Sequence, residues 1–140
     1  AGGGKVLVVD ADAARLSVAR RLGVGDGPGL AEVVGQTVPL AWAVQPTAVP
    51  GLHVLAAGVS GPGTAAATAA DFPRLVAQLR QWFDWVVADG GAWPCDGAAG
   101  CDAVYLVTRQ ADIDRAEFAA LRDDVTAAGG AVRGYVTTRP

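Results

Sequence analysis

Three carboxylates carry most of the chemistry this sequence offers. Asp10 and Asp12 end the stretch KVLVVDAD, and Asp89 ends FDWVVADGG. Both stretches are apolar runs that finish in acid. Acids gathered at strand ends can hold a divalent cation through oxygen ligands. They can equally be solvated groups that cap a strand, and the residues alone leave both readings open. A second feature stands at the front, where Gly2, Gly3, Gly4 and Lys5 precede the first apolar run. A phosphate-binding P-loop has the opposite order: strand, then glycines, then Lys-Ser/Thr opening a helix. That order lets backbone N–H groups and the helix N-terminus cradle the phosphates. Here Val6 follows Lys5, so no hydroxyl is offered to magnesium, and the chain has no second lysine. GGGK is therefore read as a decoy.

Other chemistries find little support. There is no G-x-S-x-G elbow, and His53, the single histidine, sits inside the apolar LHVLAA. No G-x-G-x-x-G turn follows the first run, which argues against a dinucleotide fold. Cys95 and Cys101 form C-x5-C, which is not the spacing of zinc or redox sites. Net charge is −3, so no basic field favours nucleic acid. Half of the 140 residues are apolar, enough for one globular domain with a real core. No apolar run reaches the roughly 18 residues of a membrane span. No signal peptide is visible, and the expected compartment is the cytoplasm.

The elements that must position the acids follow from periodicity. KVLVVDAD, LHVLAAG, DWVVADGG, DAVYLVT and AVRGYVTT read as five buried parallel strands. Asp12 is expected to cap a helix over ADAARLSVARRLG that Gly23 stops. GLAEVVG is a short helix closed by Gly35. LAWAVQPTAVPG reads as irregular or weakly extended, and VSGPGTAAATAA as flexible. DFPRLVAQLRQWF is a helix with Asp71 as cap and Pro73 in its first turn. DIDRAEFAALRDDVTAAGG is a helix with Asp112 as cap and Gly129 as stop. Strands alternating with helices give an α/β fold: a mostly parallel five-stranded sheet with helices on both faces. In such sheets ligands lie beyond the carboxyl ends of the strands. Asp10, Asp12, Gly58, Asp89, Gly90, Thr108 and Thr138 fall at or near those ends. Trp42, Trp82 and Trp85 are expected to be partial core, as are Tyr105 and Tyr135. Trp93 is the candidate for an exposed contact.

The ordered series KVLVVDADAARLS, GLAEVV, VPGLHVLAAG, FDWVVADGG, DAVYLVTR and GAVRGYVTTR resembles the cytoplasmic domain of bacterial tyrosine kinases of capsule and exopolysaccharide export. These belong to the Min/Par-type deviant P-loop ATPases. The resemblance implies a P-loop NTPase-like fold over residues 1–140, without the first strand and P-loop. It implies that Asp10 and Asp12 are the Walker A′ acids, placing magnesium and water near a γ-phosphate. Arg15 and Ser17 match the family's continuation, while Ala13, Ala14 and Leu16 depart from it. Asp89 would be the Walker B acid associated with magnesium, in Asp89-Gly90-Gly91-Ala92 where the family usually has Asp-Thr-Pro-Pro. Thr138 stands where an asparagine usually reads the base. In the family the first strand lies between the Walker B strand and the DAVYLV strand. Those two strands are expected to close directly on each other here, with a partner filling the gap as the alternative.

The motif order taken together with the missing P-loop lysine gives the expectation of a non-catalytic pseudo-ATPase, a kinase-like scaffold or regulator in polysaccharide export. No cofactor is expected for the chain alone, and magnesium and ATP are expected if a P-loop is supplied. A protein partner is expected, such as a polysaccharide-export membrane protein that would hold the domain peripherally at the inner membrane. A homodimer is a further expectation. One alternative is a piece of an active tyrosine kinase or ATPase whose P-loop lies upstream. Another is a phosphoreceiver, because KVLVVDAD resembles a receiver's acid pair and Asp89 could be its acceptor. The distance from Asp10 to Asp89 along the chain is too long for that pattern, and AVRGYVTT lacks the receiver's lysine.

Overall fold

A computed structural model describes residues 3–12, 14–25, 27–59, 64–92, 97–112 and 114–139, with the backbone alone for residues 64–69 and Asp112. Gly2, Trp93 and Cys95 lie outside the described residues. The chain divides into two compact units, Ala1–Gly97 and Ala98–Pro140.

The first unit is built on a four-stranded sheet. Its strands are β1 (Val6–Asp10), β2 (Val44–Pro46), β3 (Leu52–Leu55) and β4 (Trp85–Asp89), in the order β2-β3-β1-β4. β1 runs parallel to β3 and β4, and β2 pairs antiparallel with β3. Side chains alternate between the two faces of a strand. Leu7, Val9 and Leu55 fill one face and Val54 the other, all fully buried. Both faces of the central strands are therefore covered. Helix α1 (Ser17–Arg21) covers the Val54 face, where Ala19, Val54 and Ala56 pack with Val18, Leu22 and Val24. Helices α2 (Leu30–Val34), α3 (Leu40–Ala43) and α4 (Thr64–Leu79) complete the unit. Phe72 and Leu79 of α4 are fully buried. Burying side chains of this size is worth about 1.5–3 kcal/mol each.

The second unit holds β5 (Val104–Arg109) and β6 (Val132–Thr138), paired in parallel, and the helix α5 (Arg115–Ala127) between them in the chain. Phe118 of α5 meets the ring of Tyr135 edge-on, with centroids 5.2 Å apart. Val125 is fully buried.

The α/β class and the mostly parallel pairing agree with the sequence, and all five expected strands form. Their arrangement differs. Among the described residues the ladders pair β4 with β1 in the first unit and β5 with β6 in the second. β4 is the last strand of the first unit's sheet, with Trp85 69% and Val87 53% exposed on one face. The segment read as irregular contains α3 and the antiparallel strand β2. Pro39 sits at the N-cap of α3, and Pro46 is tolerated because β2 lies at an edge.

Helix starts also move. α4 begins at Thr64, so Asp71 and Pro73 lie inside the helix and Asp71 is not its cap. The alanine-rich TAAATAA supplies enough propensity to extend the helix backwards. α5 is capped by Asp114, not Asp112. The Asp114 carboxylate accepts from the backbone N–H of Ala116 at 2.8 Å and of Glu117 at 3.5 Å. Asp114→Ala should cost about 1 kcal/mol in denaturant unfolding. An unchanged transition would show that this cap contributes nothing. The core expectation fails for Trp42, Trp85, Tyr105 and Tyr135, which are 61–77% exposed, while Trp82 is 44% exposed. These rings sit on the last strand of the first unit's sheet, on short helices or on the second unit's two-stranded sheet, where too little structure overlies them.

Candidate functional site

The site grows out of the carboxyl end of β1. Asp10 is the register partner of Asp89, so two acids meet on neighbouring parallel strands. The backbone continues this pairing for one more residue, since the Ala11 N–H donates to the Asp89 carbonyl at 2.9 Å. Asp10 is 1% exposed, the one charged side chain among the buried described residues. A buried carboxylate needs donors. The N–H of Asp12 gives one at 3.1 Å and the N–H of Val18 another at 3.2 Å. Asp10 thereby takes the place of a cap for α1. The residue at the N-cap, Leu16, lies in the left-handed region at φ 45° and has no capping side chain.

Asp12 does not cap α1. Its carboxylate accepts from the Ala14 N–H at 3.1 Å, and its carbonyl accepts from Arg15 and Leu16, which makes a local turn. The expected helix over residues 11–22 is shortened to Ser17–Arg21 by this turn. The Asp12 carboxyl also lies against the backbone after β4. A Cβ on Gly91 would stand 2.5 Å from Asp12 Cγ, and Gly91 itself has φ 69°. Only glycine suits both conditions. Asp89 accepts from the Gly91 N–H at 3.0 Å and stays exposed. Asp10, Asp12 and Asp89 are thus brought together. Thr138 belongs to the second unit, where its hydroxyl donates to the Thr108 carbonyl at 3.5 Å.

Electrostatics follow from this packing. Burial pushes the Asp10 carboxyl above its ordinary value. The two backbone donors pull it down, and the negative charges of Asp89 and Asp12 raise it further. Among the described residues, no group of three or more His, Cys, Asp or Glu is placed to hold a metal ion. Asp10 is committed to backbone donors, so its part is to position the turn. Magnesium is commonly held by one or two carboxylates together with phosphates and water. Asp12 and Asp89 fit that lesser role, and the acids do not form a cage of their own.

The glycines at the front are elsewhere. The Lys5 N–H donates to the Asp84 carboxylate at 2.7 Å, and the Lys5 carbonyl accepts from Asp84 and Trp85. Gly4 lies against the same Asp84 side chain. Gly4 and Lys5 therefore join the amino ends of β1 and β4. The acids stand at the opposite ends, about 17 Å away along a five-residue strand.

One residue escaped sequence reasoning. Glu32 of α2 accepts from the N–H groups of Gly29 at 2.7 Å and Val59 at 2.9 Å. Burial alone would raise its carboxyl, but these backbone donors outweigh burial and hold it below the ordinary value. Glu32 ties the loop after β3 to α2 beside Gly58. The signal was the Gly29-x-x-Glu32 spacing at a helix start. His53 lies in β3 as expected, with its ring edge-on to Phe83 at 5.3 Å.

No protein-family model matches the chain, and no curated protein matches it. Solved structures do. The kinase domain of the Escherichia coli tyrosine kinase ETK is similar with a TM-score of 0.87 and 22% identity, over 97% of this chain and 56% of that one. The BceF tyrosine kinase domain is similar with a TM-score of 0.82 and 26% identity, over 96% and 56%. The septum site-determining protein MinD of Pyrococcus horikoshii, complexed with Mg-ADP, is similar with a TM-score of 0.79 and 22% identity, over 96% and 58%. The fold is that of the P-loop NTPase-like domains of bacterial tyrosine kinases and MinD-type ATPases. The chain spans little more than half the length of these three structures. Among the described residues, no helix is long and apolar enough to cross a membrane.

Proposed function

We propose that this chain is a kinase-like module that does not bind nucleotide by itself and serves as a scaffold or regulator. The observation that carries this reading is the separation of its two candidate features. Gly4 and Lys5 lie against Asp84 at the amino end of the sheet, while Asp10, Asp12 and Asp89 gather at the carboxyl end. Phosphates need backbone N–H groups and a helix N-terminus beside the acids. Asp10 is already spent on Asp12 and Val18, which suits a structural post. The partner in this reading is a protein of polysaccharide export that would bring the module to the inner membrane surface.

A second reading is favoured by β4. Strands of parallel sheets are ordinarily covered on both sides, yet β4 is the last strand of the first unit's sheet, with Trp85 and Val87 exposed. A strand bearing a P-loop could dock there and supply the phosphate cradle, with Asp12 and Asp89 then holding magnesium beside ATP. Calorimetric titration of the chain with ATP in magnesium buffer tests the first reading. No heat at millimolar nucleotide is expected for the chain alone. One-to-one binding would overturn the non-catalytic reading.

A further inference from the structure

On the second unit, α5 and the strands β5 and β6 border an open groove of about 330 Å³. Arg115, Phe118, Ala119 and Arg122 line it from the helix, and Thr108 and Tyr135 from the strands. The spacing explains the wall, because residues three, four and seven apart share one helix face. The polar groups in that wall are two guanidinium groups and two hydroxyls. Among the described residues no acid lines the groove, in a chain whose net charge is −3. Arg122 pairs with Asp123 at 3.1 Å, but the two side chains are 55% and 71% exposed. Such a surface pair is worth little and yields readily to another anion. The apolar part is aromatic: Phe118 stands edge-on to the exposed ring of Tyr135.

We infer that this groove binds a small anion carrying one planar ring, a phosphate monoester of the phenyl or nucleoside class. Guanidinium forks match phosphate oxygens bidentately and also stack on rings. The volume lies at the small end of ligand pockets, which run from about 300 to 1,000 Å³, so it suits a single ring. The inference stands apart from the proposed function, which concerns residues of the first unit.

The test is an amide NMR titration of the whole chain with sodium phenyl phosphate, AMP and inorganic phosphate in parallel. Saturable shifts at Thr108, Ala119 and Tyr135 are expected with a ring-bearing ester. Inorganic phosphate, which has no ring to stack, should bind about tenfold more weakly. Arg115→Gln and Arg122→Gln should each weaken the ester about tenfold. Arg109→Gln, on the face of β5 opposite Thr108, should leave it unchanged. Saturation by AMP alone assigns a nucleotide ligand, and saturation by phenyl phosphate alone assigns a simple aryl ester. Equal response to inorganic phosphate would overturn the inference. So would indifference to both groove substitutions, or no saturable shift with either ester.

Discussion

Replacing Gly29 by alanine is expected to destabilise the fold by about 3–5 kcal/mol, from overpacking plus weakened buried hydrogen bonds. The backbone there is extended, at φ −139°, so alanine meets no torsional strain. The obstacle is steric. A Cβ at Gly29 would run into the Ala56 carbonyl and come within 2.5 Å of the Gly58 nitrogen. Backbone atoms cannot step aside as a side chain can. The close approach lets Leu30 N–H donate to the Ala56 carbonyl at 2.7 Å and Ala31 N–H to the Ala57 carbonyl at 3.0 Å. These bonds satisfy donors that the start of any helix leaves open. Forcing α2 away from the end of β3 would strain both, together with the bond between Glu32 and Val59. Urea unfolding of Gly29→Ala against Gly25→Ala checks this. A Cβ at Gly25 meets nothing within 4 Å, so that variant should stay within about 0.5 kcal/mol of the parent. Equal losses in the two variants would refute the steric account.

Gly29 also shows where sequence reading stops. The five long strands were legible because β-branched runs such as VLVVD and WVVAD carry their own signal. Gly23 and Gly129, with φ 70° and 88°, were legible stops for the same local reason. The capping residues were not. Asp12 and Asp71 stand before apolar periodic segments and look like caps. The residue that serves the start of α1 is Asp10, eight positions before Val18 and buried where two elements cross. For α4 the weak propensities of an alanine run add up to a longer helix than any single residue announces. The acids of the candidate site were legible as strand ends, and their convergence followed from parallel pairing of β1 with β4. That Asp10 is consumed by backbone donors was not legible, because it depends on where the chain returns after Asp12. Nor was the place of β4 at the end of the first unit's sheet legible, since WVVAD reads the same in a central strand and at an edge.

Asp10→Ala should cost about 2–4 kcal/mol, because it strands the buried N–H groups of Asp12 and Val18 without an acceptor. Asp10→Asn should cost less, since its amide oxygen still serves one of the two donors. The two variants share a second consequence, in pH. Burial raises the folded Asp10 carboxyl above 3.8, with Asp89 and Asp12 adding to the rise. Between 3.8 and the raised value the folded chain keeps a proton that the unfolded chain has released. The unfolded state then binds fewer protons, so stability falls as pH rises through that window. The contribution is fully present below the unfolded value and is lost above the folded one. Asp10→Asn cannot release this proton. Its stability relative to the parent should therefore improve steadily as pH rises through the window and level off beyond it. Urea unfolding of the pair from about pH 3 to pH 7 measures the difference directly. A constant difference would mean that Val18 and Asp12 fully offset burial and that Asp10 folds with an ordinary carboxylate. A difference that moves the other way would mean that the backbone donors dominate. The turn at Asp12 would then be anchored by Asp10 as a strongly held anion, and the acid corner would be electrostatically preorganised despite the charges of Asp12 and Asp89.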